Sequence, residues 1–221
     1  YTEDVLRRYL QPQGPLKGVG EIGLWHDDLQ AVTFDSPSMQ TVFRAVNGMK
    51  GIVMIHPSGN PKGRKMDLAE IEPAVRKYSD TIFLFHGGIE PLDLVLPLMS
   101  QYPNVYFSWD GHIFQGPWRH LLSAEVSGSA ERFAANVNRI GIDRIVEESL
   151  RNLLPRLQQH PDRIMWGTDR GTPSWHFDES ATDLIIKVSR LFIARLPAEL
   201  QEQYAFRNAL RVFGGHLSSG P

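Results

Sequence analysis

Short apolar runs alternate along this chain with longer segments of helical period. Five runs read as strands, at about residues 16 to 24, 51 to 56, 81 to 86, 104 to 109 and 163 to 168. Between them, Pro37 to Val46 sets Met39, Val42, Phe43 and Val46 at helical spacing, and Leu68 to Tyr78 does the same with Leu68, Ile71, Val75 and Tyr78. A helix is expected from Pro91 to Tyr102, where Pro91 suits a first turn and Pro97 should kink the helix at a cost of about 3 kcal/mol. From Gly111 the short rhythm breaks into a loop rich in Gly, Ser and aromatics, placed to cover the mouth of a barrel. Ile142 to Gln159 then carries the stripe Ile145, Val146, Leu150, Leu153, Leu154 and Leu157 of a core-facing helix. A last helix runs from Leu196 to Phe213 and should stop at Gly214 and Gly215.

Strands alternating with helices predict an α/β fold with a parallel sheet. With no internal repeat and no low-complexity tract, residues 1–215 are expected to form a single barrel-type domain, followed by a disordered tail over 216–221. Residues Asp4 to Leu10 look like part of a helix that starts without an initiator Met, so a missing upstream segment is expected.

Composition mostly removes options. The 221 residues are 42% hydrophobic and 22% charged, enough to bury a sizeable core, and 23 basic against 25 acidic residues give a formal net charge of -2. That balance offers no basic stripe for nucleic acid. There is no cysteine, which rules out a disulfide framework and thiolate ligands, so any metal must be held by His and carboxylate. No apolar stretch approaches the roughly 18 residues of a membrane helix. The amino end, Tyr1-Thr2-Glu3-Asp4, has neither a basic start nor an apolar signal region, and a cytoplasmic setting is expected.

The chemistry is carried by the residues that close the strands. Four runs end in a group able to bind metal: Glu21 after Gly18-Val19-Gly20, His56 after Ile52 to Ile55, His86 after Ile82 to Phe85, and Asp169 after Ile164 to Thr168. In a parallel β/α barrel the strand ends converge on one mouth, so such groups would meet there. One Glu, two His and one Asp suit a divalent metal, zinc first. Each residue has a plainer alternative. Glu21 could be a buried carboxylate paired with Arg or Lys, each His a hydrogen-bonded structural residue, and Asp169 an N-cap. The strand-then-His pattern recurs after 30 residues, one β/α unit, which favours a paired role for His56 and His86. His26, His112 and His176 lie just beyond strand ends and could contact substrate, and Trp25, Trp109 and Trp175 could wall a pocket. A solvated loop is the plainer account of the basic residues Lys62, Arg64 and Lys65.

These residues resemble the metal-dependent amidohydrolase superfamily, in particular its amidohydrolase-related branch. The matching stretches are Gly18 to Leu24, Ile52 to Pro57, Phe83 to Gly88, Tyr102 to Phe107, Trp166 to Asp169 and Asn208 to Gly214. Gly20 to Leu24 is also similar to TatD-type deoxyribonucleases. The resemblance implies a distorted (β/α)8 TIM-type barrel truncated at its amino end, with about five parallel strands present, corresponding to strands four to eight. It further implies that Glu21, His56 and His86 are metal ligands and that Asp169 is both ligand and general base. The family's His-x-His pair of strand one has no counterpart here. The expected function is metal-dependent hydrolysis of an amide, ester or lactone of a small organic substrate. The alternatives are metal-dependent, non-oxidative decarboxylation of an aromatic acid, or an inactive barrel fragment. A homo-oligomer or an amino-terminal segment would complete the barrel, with no nucleic-acid or membrane partner.

Overall fold

The structure, a computed structural model, describes residues 3–11, 16–23, 33–56, 68–110, 122, 128–168 and 177–217. The chain divides into two compact units, Tyr1–Ser108 with Ala209–Pro221, and Trp109–Asn208.

The first unit alternates strand and helix: α1 (Glu3–Tyr9), β1 (Gly18–Gly23), α2 (Pro37–Gly48), β2 (Ile52–His56), α3 (Leu68–Lys77), β3 (Ile82–Gly87), α4 (Ile89–Gln101) and β4 (Val105–Trp109). The last residue of β4 already belongs to the second unit. These strands take the order β1-β2-β3-β4, and β1, β2 and β3 pair in parallel. Ile52 lies opposite Ile82 and Met54 opposite Leu84. The Phe83 N–H donates to the Asn104 carbonyl at 2.8 Å, as the Ile82 N–H does to Gly51 at 2.9 Å. The same relation that sets Ile82 opposite Ile52 therefore sets Phe83 opposite Val105.

Alternation along these strands makes two faces. Val53, Ile55, Phe83 and Phe85 are fully buried on the helix-facing side, where the Phe43 ring of α2 lies 5.4 Å from that of Phe83. Phe43 also contacts Phe34 and Tyr78, at 5.8 and 5.6 Å. Full burial of one such ring stabilises by about 1.5–3 kcal/mol. The start of α2 follows from local chemistry: Pro37 stands in the first turn, and the Ser36 hydroxyl accepts the Met39 N–H at 3.5 Å. Asn104 ties the end of α3 to the start of β4, its amide donating to the carbonyls of Val75, Tyr78 and Thr81 at 3.2, 3.3 and 3.0 Å. Helix α4 continues across Pro97. Among the described residues β1 has β2 as its one strand neighbour, so they do not complete the ring of strands that a closed barrel needs.

The second unit holds α5 (Ala130–Ile140), α6 (Ile142–Gln159), β5 (Ile164–Trp166), α7 (Glu179–Arg195), α8 (Ala198–Glu202) and a π-helical turn at Gln203–Arg207. Gly167, just past β5, donates its N–H to the carbonyl of Trp109 at 3.1 Å. Two of these helices go beyond the sequence reading, although their buried stripes are regular: Ala130, Phe133, Val137 and Ile140 in α5, and Ala181, Ile185, Val188 and Phe192 in α7. The closing helix also departs from expectation. It is three pieces, α8, the π turn and α9 (Asn208–Leu217), and α9 runs through Gly214 and Gly215 into the residues expected to be tail. Both glycines lie within the helix, where a left-handed residue would have ended it. No helix among the described residues is long and apolar enough to cross a membrane.

Candidate metal centre

Three ionisable side chains of the first unit meet at the carboxyl ends of adjacent strands: Glu21 of β1, His56 of β2 and His86 of β3. The apolar positions of each strand face the helices or fill the interior, and the next residue on the interior face becomes the rim residue. For β2 and β3 that residue is His56 and His86, following Met54 and Leu84 on the same face.

Glu21 reaches the group through an irregularity. Val19 pairs with Val53 and Ile22 with Ile55, so two residues of β1, Gly20 and Glu21, stand against Met54 alone. Such a bulge re-aims the side chain it carries. Gly20 fits there because a Cβ would lie 2.5 Å from the Met54 Cβ, which is anchored to the backbone and cannot swing away. Beyond His86, Gly87 turns the chain into α4 at a φ of 130°, a conformation that suits glycine.

The three ligand atoms form a tight triangle. Glu21 Oε1 lies 3.0 Å from His56 Nδ1 and 2.8 Å from His86 Nε2, and the two nitrogens are 3.1 Å apart. The imidazole rings are 4.6 Å apart and inclined by 57°. No protonation state of two neutral histidines satisfies all three contacts. If both nitrogens carry hydrogen, the two N–H groups face each other; if only one does, the other nitrogen sets a lone pair against the carboxylate. A cation accepts all three lone pairs at once. The separations also suit one, since ligands at about 2.0–2.1 Å from a metal stand about 2.9 Å apart in an octahedron and about 3.3 Å in a tetrahedron. His86 is 1% exposed, His56 31% and Glu21 45%, so the group is closed on the His86 side and open to solvent on the Glu21 side. Among the described residues the Glu21 carboxylate meets these two histidines and no Lys or Arg.

The structure thus brings together Glu21, His56 and His86. Trp109 is fully buried at the end of β4, on the face that Val105 and Phe107 share. Asp169, Trp25, His26, His112, Trp175 and His176 lie outside the described residues, as do Lys62, Arg64 and Lys65. One further candidate is absent from the sequence reading. Asp110 directly follows β4 and is buried, the strand-then-ligand pattern that singled out the other four. In the second unit, Tyr204 on the π turn has its phenol pushed well above the ordinary tyrosine range, by burial first and then by the Asp110 charge.

Neither the known protein families nor the curated proteins yield a match to the sequence. Among solved structures, the chain is similar to a probable 2-pyrone-4,6-dicarboxylic acid hydrolase from Acinetobacter baumannii with citric acid bound. The TM-score is 0.56 and the identity 18%, covering 97% of this chain and 69% of that one. It is also similar to the 5-carboxyvanillate decarboxylase of Sphingomonas paucimobilis, with a TM-score of 0.44 and 14% identity, over 96% of this chain and 71% of the other. The first likeness shows the fold as α/β, of the TIM-barrel kind.

Proposed function

We propose that this chain is a metal-dependent hydrolase of the amidohydrolase type, acting on an amide, ester or lactone of a small organic substrate. The observation that carries the reading is the triangle of Glu21 Oε1, His56 Nδ1 and His86 Nε2, whose three contacts two neutral histidines and a carboxylate cannot all make as hydrogen bonds and a cation can. In this reading Glu21, His56 and His86 hold one divalent ion, zinc first. When bound, such an ion would lower the pKa of a water to about 7 and polarise a carbonyl. Asp169, arriving just after β5, takes the proton of the attacking water and returns it to the leaving group. His86 fixes one edge of the site because its ring is held in the core, while the open Glu21 side admits metal and substrate. Trp25, His26, His112, Trp175 and His176 are the proposed pocket residues; Trp109, fully buried on the face of β4 that Val105 and Phe107 share, is not among them. The substrate class of the Acinetobacter neighbour, a lactone dicarboxylic acid, is in keeping with this reading. The absence of cysteine accords with a cytoplasmic setting.

The test is turnover by the zinc-loaded chain of a panel of lactones, esters and amides of small carboxylic acids, together with carboxylated phenols. The reading expects a hydrolysed acid as product, lost on chelation and lost in Asp169→Asn. Release of carbon dioxide from a carboxylated phenol would assign decarboxylation to the same ligands instead. No turnover of any member, with metal bound, would count against an enzymatic role.

A further inference from the structure

Below the ligand triangle, on the same face of the sheet, lies a methionine. Val53 and Ile55 are fully buried on the helix side of β2, so Met54 shares the opposite face with His56, two residues or about 6.6 Å along the strand. Register fixes what stands on either side of it. Leu84 of β3 lies opposite, and on β1 the bulge sets both Gly20 and Glu21 against it. The β1 side is close, since the Met54 Cβ lies 2.5 Å from the place a Cβ on Gly20 would take. The backbone that aims the Glu21 carboxylate is therefore packed against Met54.

Met54 also differs from the other methionines in exposure. Met39, Met49, Met99 and Met165 are 4, 8, 3 and 2% exposed, whereas Met54 is half-buried, and Met66 lies outside the described residues. A thioether is oxidised where the oxidant reaches sulfur, so burial protects the first four. Oxidation turns a flexible apolar side chain into a polar, chiral one. Leu84, 3% exposed, offers the new oxygen an apolar wall, and burying a polar group without a partner is unfavourable. The side chain relieves that cost by shifting, and the bulge packed on it shifts too.

We propose that Met54 is an oxidation site through which a peroxide lowers the metal affinity of this centre. The step moves one oxygen from the peroxide to the Met54 sulfur. The O–O bond breaks, an S–O bond forms, the sulfur gives up two electrons, and the remainder of the peroxide leaves as water or an alcohol. Methionine sulfoxide reductases reverse it with two electrons from a thiol pair. The proposal rests on the reading of Glu21, His56 and His86 as metal ligands and adds to that site a control by oxidation.

Hydrogen peroxide is the probe. The full chain is treated with it in chelator, quenched with catalase, freed of chelator, and followed by peptide mass spectrometry and by calorimetric titration with zinc. Met54 sulfoxide should form at least about ten-fold faster than sulfoxide at Met39, Met49, Met99 or Met165. Zinc affinity should then fall by about ten-fold, the lower end of what loss of a group supporting a metal ligand costs. In Met54→Leu, a swap that conserves volume, peroxide should leave zinc affinity within about two-fold of its untreated value. In the parent itself, the fraction of weakened sites should follow the fraction of Met54 sulfoxide. Oxidation of Met54 no faster than that of the four buried methionines would overturn the proposal. So would full zinc affinity in the Met54 sulfoxide form, or an equal loss in Met54→Leu. If the untreated parent takes up no zinc, the metal reading fails and the effect on affinity falls with it, while the peptide masses still decide whether Met54 is the preferred oxidation site.

Discussion

Glu21→Gln removes one charge from the ligand triangle and almost nothing else. The side chain keeps its shape, and at 45% exposure its contacts with His56 and His86 are screened by solvent, so the metal-free proteins should melt within about 2 °C of each other. Zinc separates them. At a free zinc concentration one hundred times its dissociation constant, binding stabilises the parent by about 2.7 kcal/mol. Loss of even an outer partner of a metal ligand weakens affinity by about 10 to 100-fold, so loss of the one charged ligand should reach at least the upper end. At the same zinc concentration the variant then gains about 0.4 kcal/mol. For a chain of this size each kcal/mol moves the melting temperature by about 2–4 °C. The expected zinc-induced shift is about 5 to 11 °C for the parent and about 1 to 2 °C for Glu21→Gln, read by circular dichroism with and without the metal. An undiminished shift in the variant would refute the assignment of Glu21. A large loss of stability in the metal-free variant would show that the carboxylate serves the fold instead.

Asn104→Ala should cost about 1–3 kcal/mol in urea unfolding, because it leaves the carbonyls of Val75, Tyr78 and Thr81 without the amide that now serves all three. Gly20→Ala should destabilise the chain by about 1–3 kcal/mol through the clash with Met54 and also weaken zinc binding, since Glu21 shares the bulge; an unaltered zinc titration would separate the two effects. Burial, and then the Arg163 charge, hold the His160 imidazole below its ordinary value, against the opposing charge of Asp162. The unfolded chain therefore takes up a proton below about pH 6.5 that folded His160 refuses until the pH is lower, so this contribution is present above that pH and is lost as the pH falls through the folded value. In chelator, stability should fall less between pH 7.5 and 5.5 for His160→Gln than for the parent.

Much of the scaffold is legible in the sequence for a simple reason. Runs such as Ile52-Val53-Met54-Ile55 are apolar on both faces, which a central parallel strand requires, and each begins and ends within about two residues of the observed element. Strand ends are legible as a set because the same punctuation, an apolar run closed by His or a carboxylate, recurs along the chain. The local path of Glu21 is not. It depends on the β1–β2 register and on Gly20 lying against Met54, and register is a property of two strands rather than one. For the same reason Glu21, expected inside the mouth, stands half exposed on a strand with a single neighbour among the described residues. The π turn at Gln203–Arg207 is equally silent, since one residue of slippage in a helix leaves the apolar stripe almost unchanged. Asp110 and the helices α5 and α7 do carry a signal, a strand-ending carboxylate and two regular apolar stripes. Asp110 and α5 flank the aromatic-rich loop, where the short strand–helix rhythm that marks the other elements lapses.

The central claim is that Glu21, His56 and His86 hold one metal ion. X-ray absorption at the zinc edge of the stoichiometrically loaded chain tests it most directly. The account predicts one zinc per chain with nitrogen and oxygen ligands at about 2.0–2.1 Å and the outer-shell scattering of two imidazoles, falling to one imidazole in His56→Ala. A spectrum with no imidazole scattering, or one left unchanged by His56→Ala, would contradict it.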